Sequence, residues 1–183
     1  MEKRALINID YTFDFVADAG ALTCGEPGQA IEKKIVELTE EFIKNEDYTV
    51  FAIDVHDKGD EYHPETKLFP PHNIRGTSGR DLFGELQPLY DANKHLPNVH
   101  YIDKTRYSAF AGTDLEIKLR ERGITEVHLV GVCTDICVLH TAVDAYNKGF
   151  KIVVYKEAVA SFNLPGHDWA LGHFEQSLGA VVK

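Results

Sequence analysis

Short β-branched apolar runs alternate along the chain with longer segments in which apolar residues recur at helical spacing, the pattern of a parallel sheet with crossover helices. The runs predict strands over Ala5 to Ile9, Thr49 to Val55, Val99 to Ile102, Glu126 to Val132 and Lys151 to Tyr155, with a last one at Ala180 to Val182. Pro27 and Gly28 lead into a helix whose Ile31, Ile35, Leu38 and Phe42 fall at steps of four, three and four, which gives it one buried face. A shorter helix is predicted over Leu115 to Arg122, ended by Gly123. Another runs over Thr134 to Lys148, ended by Gly149, with Ile136, Leu139, Val143 and Tyr146 on one side. A final helix is expected around Trp169 to Leu178. The expected class is α/β, with a central, mostly parallel sheet of about six strands in one domain spanning residues 1–183. Between Asp57 and Pro97 the periodicity fades into a stretch rich in Gly, Pro, His and Asp. It reads as a long excursion, at about 57–97, with short helical pieces, and loops of that length in a compact domain are usually functional or disordered.

Charge narrows the partners. Nineteen basic against 29 acidic side chains leave a formal charge of −10, a surface that repels phosphate backbones and anionic headgroups, so nucleic acid and membrane are not expected partners. The apolar run at the start is broken by Asn8 and ended by Asp10, too short for a signal peptide, and no stretch approaches the roughly 20 apolar residues of a membrane span. Three cysteines make no disulfide scaffold, and a reducing cytoplasm is the expected compartment.

The polar residues that interrupt the apolar runs sit at the C-terminal ends of four strands. Asp10 closes the first, Asp54 and His56 the second, Asp103 and Lys104 the third, and the Val132 to Cys137 segment follows the fourth. In an open parallel sheet these ends share one edge, where ligands bind, so the four groups are expected to converge. Singly, each is a solvated turn residue more often than a catalyst. Thr134 is a natural N-cap, which would place Cys137 in the first turn of a helix where free N–H groups and the dipole favour a thiolate. The competing reading of Cys137 is a small buried hydrophobe. Cys133 raises a CxxxC metal or redox pair, disfavoured because further thiolate ligands are missing and the redox spacing is CxxC. Cys24 has no partner pattern and reads as structural. Asp54, His56, Glu65 and His72 combine two imidazoles with carboxylates, a donor set suited to Zn, Fe or Mn. His63, in the same stretch, needs no role, and His95, His100, His128, His140, His167 and His173 read as structural or solvated. Gly76 to Gly79 reads as a turn, because no lysine-containing phosphate loop is present.

With these residues in hand, the chain resembles the isochorismatase-like cysteine hydrolases and, within them, the bacterial nicotinamidases. The likeness runs from Ile7 to Phe15 through Asp54 to His56, Lys67 to Asn73, Asp103 to Phe110 and Leu129 to Asp144, to Ala170 to Gly179. It implies a three-layer αβα, Rossmann-like fold. It also implies Asp10 as general base, Lys104 as its charge partner and thiolate stabiliser, and Cys137 as nucleophile. A cis Val132–Cys133 peptide would precede an oxyanion hole made by the N–H groups of Cys133 and Cys137. Asp54, His56 and His72 are implied ligands of one divalent metal, zinc first, with iron or manganese open, and Glu65 is a further ligand, direct or through water. Phe15, Phe69 and Tyr107 match pocket-lining aromatic positions. The implied reaction hydrolyses nicotinamide, and by extension pyrazinamide, to the acid and ammonia through a cysteine thioester, a step of NAD salvage. The metal would anchor the pyridine nitrogen. A dimer or tetramer is open to the chain on the same likeness. An N-carbamoyl or ureido amide hydrolase would keep the triad but generally lacks the metal set, and a vinyl ether hydrolase can work without the cysteine. A non-catalytic metal-binding module would have no reason to keep Asp10, Lys104 and Cys137 together.

Overall fold

A computed structural model describes residues 3–183. Six strands, β1 (Arg4–Ile9), β2 (Tyr48–Asp54), β3 (Val99–Lys104), β4 (Glu126–Val132), β5 (Lys151–Ala160) and β6 (Val181–Val182), form a sheet in the order β3-β2-β1-β4-β5-β6, every pair parallel. The chain therefore runs outward from β1 to one edge, then returns to start again beside β1. Ligands in such sheets bind at that reversal, outside the carboxyl ends of the two central strands, here β1 and β4.

Seven helices cover the two faces among the described residues. One face carries α1 (Phe13–Val16), α2 (Glu26–Ala30), α3 (Glu32–Lys44) and α4 (Leu86–Asn93), and the other α5 (Leu115–Glu121), α6 (Leu139–Asn147) and α7 (Leu164–Leu178). The period-2 geometry of β1 sends Ala5, Ile7 and Ile9 into the core shared with α5 to α7, and Leu6 into the core beneath α3. The α3 stripe is as its spacing predicts: Ile31, Ile35, Leu38 and Phe42 are all buried.

Several boundaries differ from expectation for identifiable reasons. β5 continues to Ala160 past a register irregularity opposite β4, where alternation breaks down. α7 begins five residues earlier than Trp169, because Pro165 suits a first helical turn and the Asn163 side chain accepts from the Gly166 N–H. The predicted helix from Thr134 is two pieces, a π turn (Thr134–Val138) and then α6. Thr134 is not its cap: Cys133 occupies the N-cap position, and the Thr134 hydroxyl pairs with His167 Nδ1 at 2.8 Å. The buried stripe of α6 is also one residue out of phase with the predicted one. Val138, Thr141, Ala142 and Ala145 face the sheet while Tyr146 is exposed, so small side chains, not the bulky ones, set the close approach.

Gly131 shows how tightly the two central strands meet. Its φ is +119°, and a Cβ there would run into the carbonyl of Ile9, its partner on β1. Gly131→Ala is expected to lower stability by about 3 kcal/mol or more, read from a denaturant midpoint, since neither backbone can yield without disturbing the strand ends.

Candidate active site

The edge formed by the C-termini of β1, β2, β3 and β4 brings together three of the residues that the sequence marks for chemistry. Asp10 follows β1 with φ +54°, a left-handed turn that Asp tolerates better than most residues, and its backbone N–H reaches back to Ala52 of β2. Its carboxylate takes the N–H of Asp54 on Oδ1 at 2.8 Å and the Lys104 ammonium on Oδ2 at 2.7 Å. Lys104 ends β3, is almost fully buried, and also donates to the Arg106 carbonyl at 3.2 Å and to Cys137 Sγ at 3.7 Å. Cys137 lies within the π turn, an irregularity often found at functional sites.

The electrostatics of this trio differ from a resting thiolate. Burial pushes the Cys137 thiol up, Lys104 offsets part of that, and the Asp10 charge adds to it. Burial also lifts the Asp10 carboxyl, to about 6, against the pull of Lys104. For Lys104, burial works against the ammonium, but Asp10, Cys137 and Asp54 outweigh it and keep the proton on. The arrangement is a neutral thiol beside a carboxylate held by a buried cation, which suits proton transfer on demand. Burial thus opposes the thiolate that the start of a helix would favour at Cys137.

Asp103, the neighbour of Lys104, does not join them. Strand alternation turns it to the other side, where it is partly exposed and pairs with Arg75 and Arg80.

A second cluster adjoins the first. Asp54, His56, Glu65 and His72 are all buried, and one ligand atom from each lies within 4.8 Å of all the others. Glu65 reaches this point from a single 3-10 turn (Pro64–Lys67) in the long excursion. The donor chemistry fits a cation. His72 Nδ1 donates to the Pro70 carbonyl at 2.8 Å, which leaves Nε2 buried, without a hydrogen-bond partner, 3.5 Å from carboxylate oxygens of both Asp54 and Glu65. Burial lowers the His72 imidazole, but those carboxylates more than compensate and lift it to about 10, the field of a place that holds positive charge. Asp54 is held well below the usual carboxylate range: burial opposes this, and Lys104, His56 and His72 overcome it.

Phe15, Phe69, Tyr107, Cys133, Cys137 and Glu65 line one pocket, so the thiol and one carboxylate of the ligand cluster face the same space. The Phe15 ring centroid lies 5.2 Å and that of Phe69 6.3 Å from His72. Leu22, Val132, Ile136 and Phe162 complete the wall and were not legible as such. The Val132–Cys133 peptide is cis.

Sequence reading also missed the residues that hold the excursion in place. Asp14 accepts the N–H of Asn73 at 2.7 Å, and the Asn73 side chain accepts the Thr12 hydroxyl at 3.0 Å, fastening the His72 segment to the start of α1. His63 is buried; its Nδ1 accepts the Glu65 N–H, its Nε2 donates to the Thr105 carbonyl at 2.8 Å, and its ring packs 4.1 Å from that of His56. Asn73 in a positive-φ turn beside His72 carried a local signal. His63 carried none.

A model of the Isochorismatase domain matches residues 4–183. A Bacillus subtilis relative described as an uncharacterized isochorismatase family protein, PncA, is 72% identical over 98% of both chains. A crystal structure described as nicotinamidase/pyrazinamidase PncA from Bacillus subtilis is 68% identical over 98% of each chain, with a TM-score of 0.97. A pyrazinamidase of Pyrococcus horikoshii, solved in complex with zinc, is 28% identical over 99% of this chain and 98% of its own, with a TM-score of 0.86. A match of this extent, on a sheet that carries its reactive side chains at the central reversal, means that the chain belongs to the isochorismatase domain family.

Proposed function

We propose that this protein is a nicotinamidase, a cysteine amidohydrolase that converts nicotinamide to nicotinic acid and ammonia as a step of NAD salvage and accepts pyrazinamide as well. The observation that carries the reading is that Cys137 and Glu65 line one pocket, Cys137 backed by Lys104 and Asp10, and Glu65 joined to Asp54, His56 and His72 in the ligand cluster. Similarity to structures described as nicotinamidases supports the substrate.

In this reading Asp10 takes the Cys137 proton as the sulfur adds to the carboxamide carbon. The N–H groups of Cys133 and Cys137 hold the developing oxyanion, contacts that contribute about 3 kcal/mol each in comparable sites. Ammonia departs with the proton returned from Asp10. The same carboxylate then draws a proton from water as it attacks the thioester, the carbon–sulfur bond breaks, and the acid leaves as Asp10 returns that proton to the Cys137 sulfur. Lys104 keeps Asp10 ionised between steps. A divalent metal held by Asp54, His56, Glu65 and His72, zinc first among zinc, iron and manganese, would supply an electrophilic anchor for the pyridine nitrogen. Phe15, Phe69 and Tyr107 would flank the ring. The three cysteines are free thiols, as a reducing cytoplasm would keep them, and among the described residues no helix is long and apolar enough to cross a membrane.

Ammonia release measured with nicotinamide, pyrazinamide and a ureido amide tests the assignment. Turnover is expected with the first two; release from the ureido amide alone would retain the trio and overturn the substrate. Chelation is expected to raise KM for nicotinamide by at least tenfold while Cys137 still reacts with iodoacetamide, because the anchor and the nucleophile are separate groups. Unchanged KM after complete metal removal would remove the anchor from the mechanism.

A further inference from the structure

Cys24, which the sequence leaves without a partner, has one. Its Sγ lies 3.1 Å from Cys133 Sγ, across 109 residues of chain, and both side chains are buried. Neither end of this contact is remote from the pocket. Cys133 lines it, and its carbonyl accepts the N–H groups of Ile136 and Val138, which shape the turn that carries Cys137. Cys24 sits between α1 and α2, and its N–H is bonded at 2.7 Å to the carbonyl of Phe15, another wall residue. Gly28 leaves room for it, since a Cβ there would meet Cys24 Cβ at 3.0 Å.

We infer that Cys24 and Cys133 form a reversible dithiol pair whose oxidation to a disulfide slows the chemistry at Cys137. The oxidant class is a low-molecular-weight disulfide. Cys133, reached through the pocket, attacks one sulfur of the reagent and releases one small thiol. Cys24 then attacks the Cys133 sulfur and releases the second. Two electrons pass from the pair to the reagent, and each protein thiol proton ends on a released thiol. The Cys24 contact and burial push the Cys133 thiol up, so the exchange is slow at neutral pH and faster in mild alkali. Closing the sulfurs to the roughly 2 Å of a disulfide draws the Phe15 and Cys133 segments together by about 1 Å. A displacement of that size at a reacting centre can cost on the order of a hundredfold.

The consequence for turnover rests on the nicotinamidase reading; the bond itself does not, and the test separates them. The full chain is treated with bis(2-hydroxyethyl) disulfide in mild alkali, and free thiols are then alkylated and peptides mapped by mass spectrometry. The rate of Cys137 alkylation by iodoacetamide and ammonia release from nicotinamide are followed in parallel. The expected result is a Cys24–Cys133 cross-link, at least tenfold slower Cys137 alkylation and turnover, and recovery with a thiol reductant. Cys24→Ala is expected to keep its basal rate and lose the response; Cys24→Ser serves the same end if the alanine variant does not fold. Alkylation of both Cys24 and Cys133 after treatment, a cross-link from Cys133 to Cys137, or a cross-link with unchanged Cys137 alkylation would each overturn the proposal. A cross-link that slows Cys137 alkylation in a protein inactive on nicotinamide would instead overturn the substrate assignment.

Discussion

Cys137→Ala is expected to fold and to release ammonia from nicotinamide more slowly by a factor on the order of 10⁴ or more, the usual loss when a covalent nucleophile is removed. The fold should survive because the substitution deletes a single buried atom. Lys104 loses one contact at 3.7 Å and keeps Asp10, Asp54 and the Arg106 carbonyl, so no buried charge is stranded. The thermal midpoint should therefore stay within a few degrees of the parent. The variant should also keep its affinity for nicotinamide, since the ring contacts and the ligand cluster are untouched. That combination, intact binding with lost turnover, separates a nucleophile from a packing thiol. A Cys137→Ala protein with full activity would end the thioester reading and point to chemistry that needs no cysteine.

How much of this site could be read from the chain depends on where each signal resides. Asp10, Asp54 and Lys104 announce themselves because a charged residue at the end of an apolar run is anomalous, and because parallel strands put such ends on one edge. The order of the strands is not in that pattern. It decides that Asp10 and Cys137 flank the central reversal, and it emerges only when the sheet is assembled. Asp103 and Lys104 look equivalent in sequence, and one residue of strand alternation separates a surface ion pair from the heart of the site. The phase of α6 was lost for a related reason. A π turn adds backbone that a 3.6-residue pattern does not register, so two neighbouring stripes exchange places. Contacts such as Cys24 to Cys133 and His63 to Thr105 join segments with no shared periodicity, and only tertiary packing reveals them.

Lys104→Met carries the largest expected effect on stability. The side chain is nearly isosteric, so packing is retained, but the cation between Asp10 and Asp54 disappears from a fully buried position. Breaking one partner out of a buried pair costs about 3–5 kcal/mol, because the remaining charge has neither solvent nor a counter-ion. For a chain of this size that corresponds to a fall of roughly 6–20 °C in the thermal midpoint. Asp10 is already lifted to about 6 by burial with Lys104 present, and loss of the ammonium lifts it further. A carboxyl whose folded pKa lies above its unfolded value destabilises the fold wherever it is ionised, and gains back stability as it protonates. The deficit of Lys104→Met should therefore be largest at neutral and alkaline pH and shrink as pH falls toward 6. The double variant Lys104→Met, Asp10→Asn removes both charges and is expected to regain a large part of the lost stability at neutral pH while remaining inactive, since the base is gone. Thermal unfolding of the two single variants and the double variant across pH measures this coupling directly. A deficit independent of pH, or one that Asp10→Asn deepens, would mean that Lys104 supports the fold through packing and not through the charge it brings to Asp10.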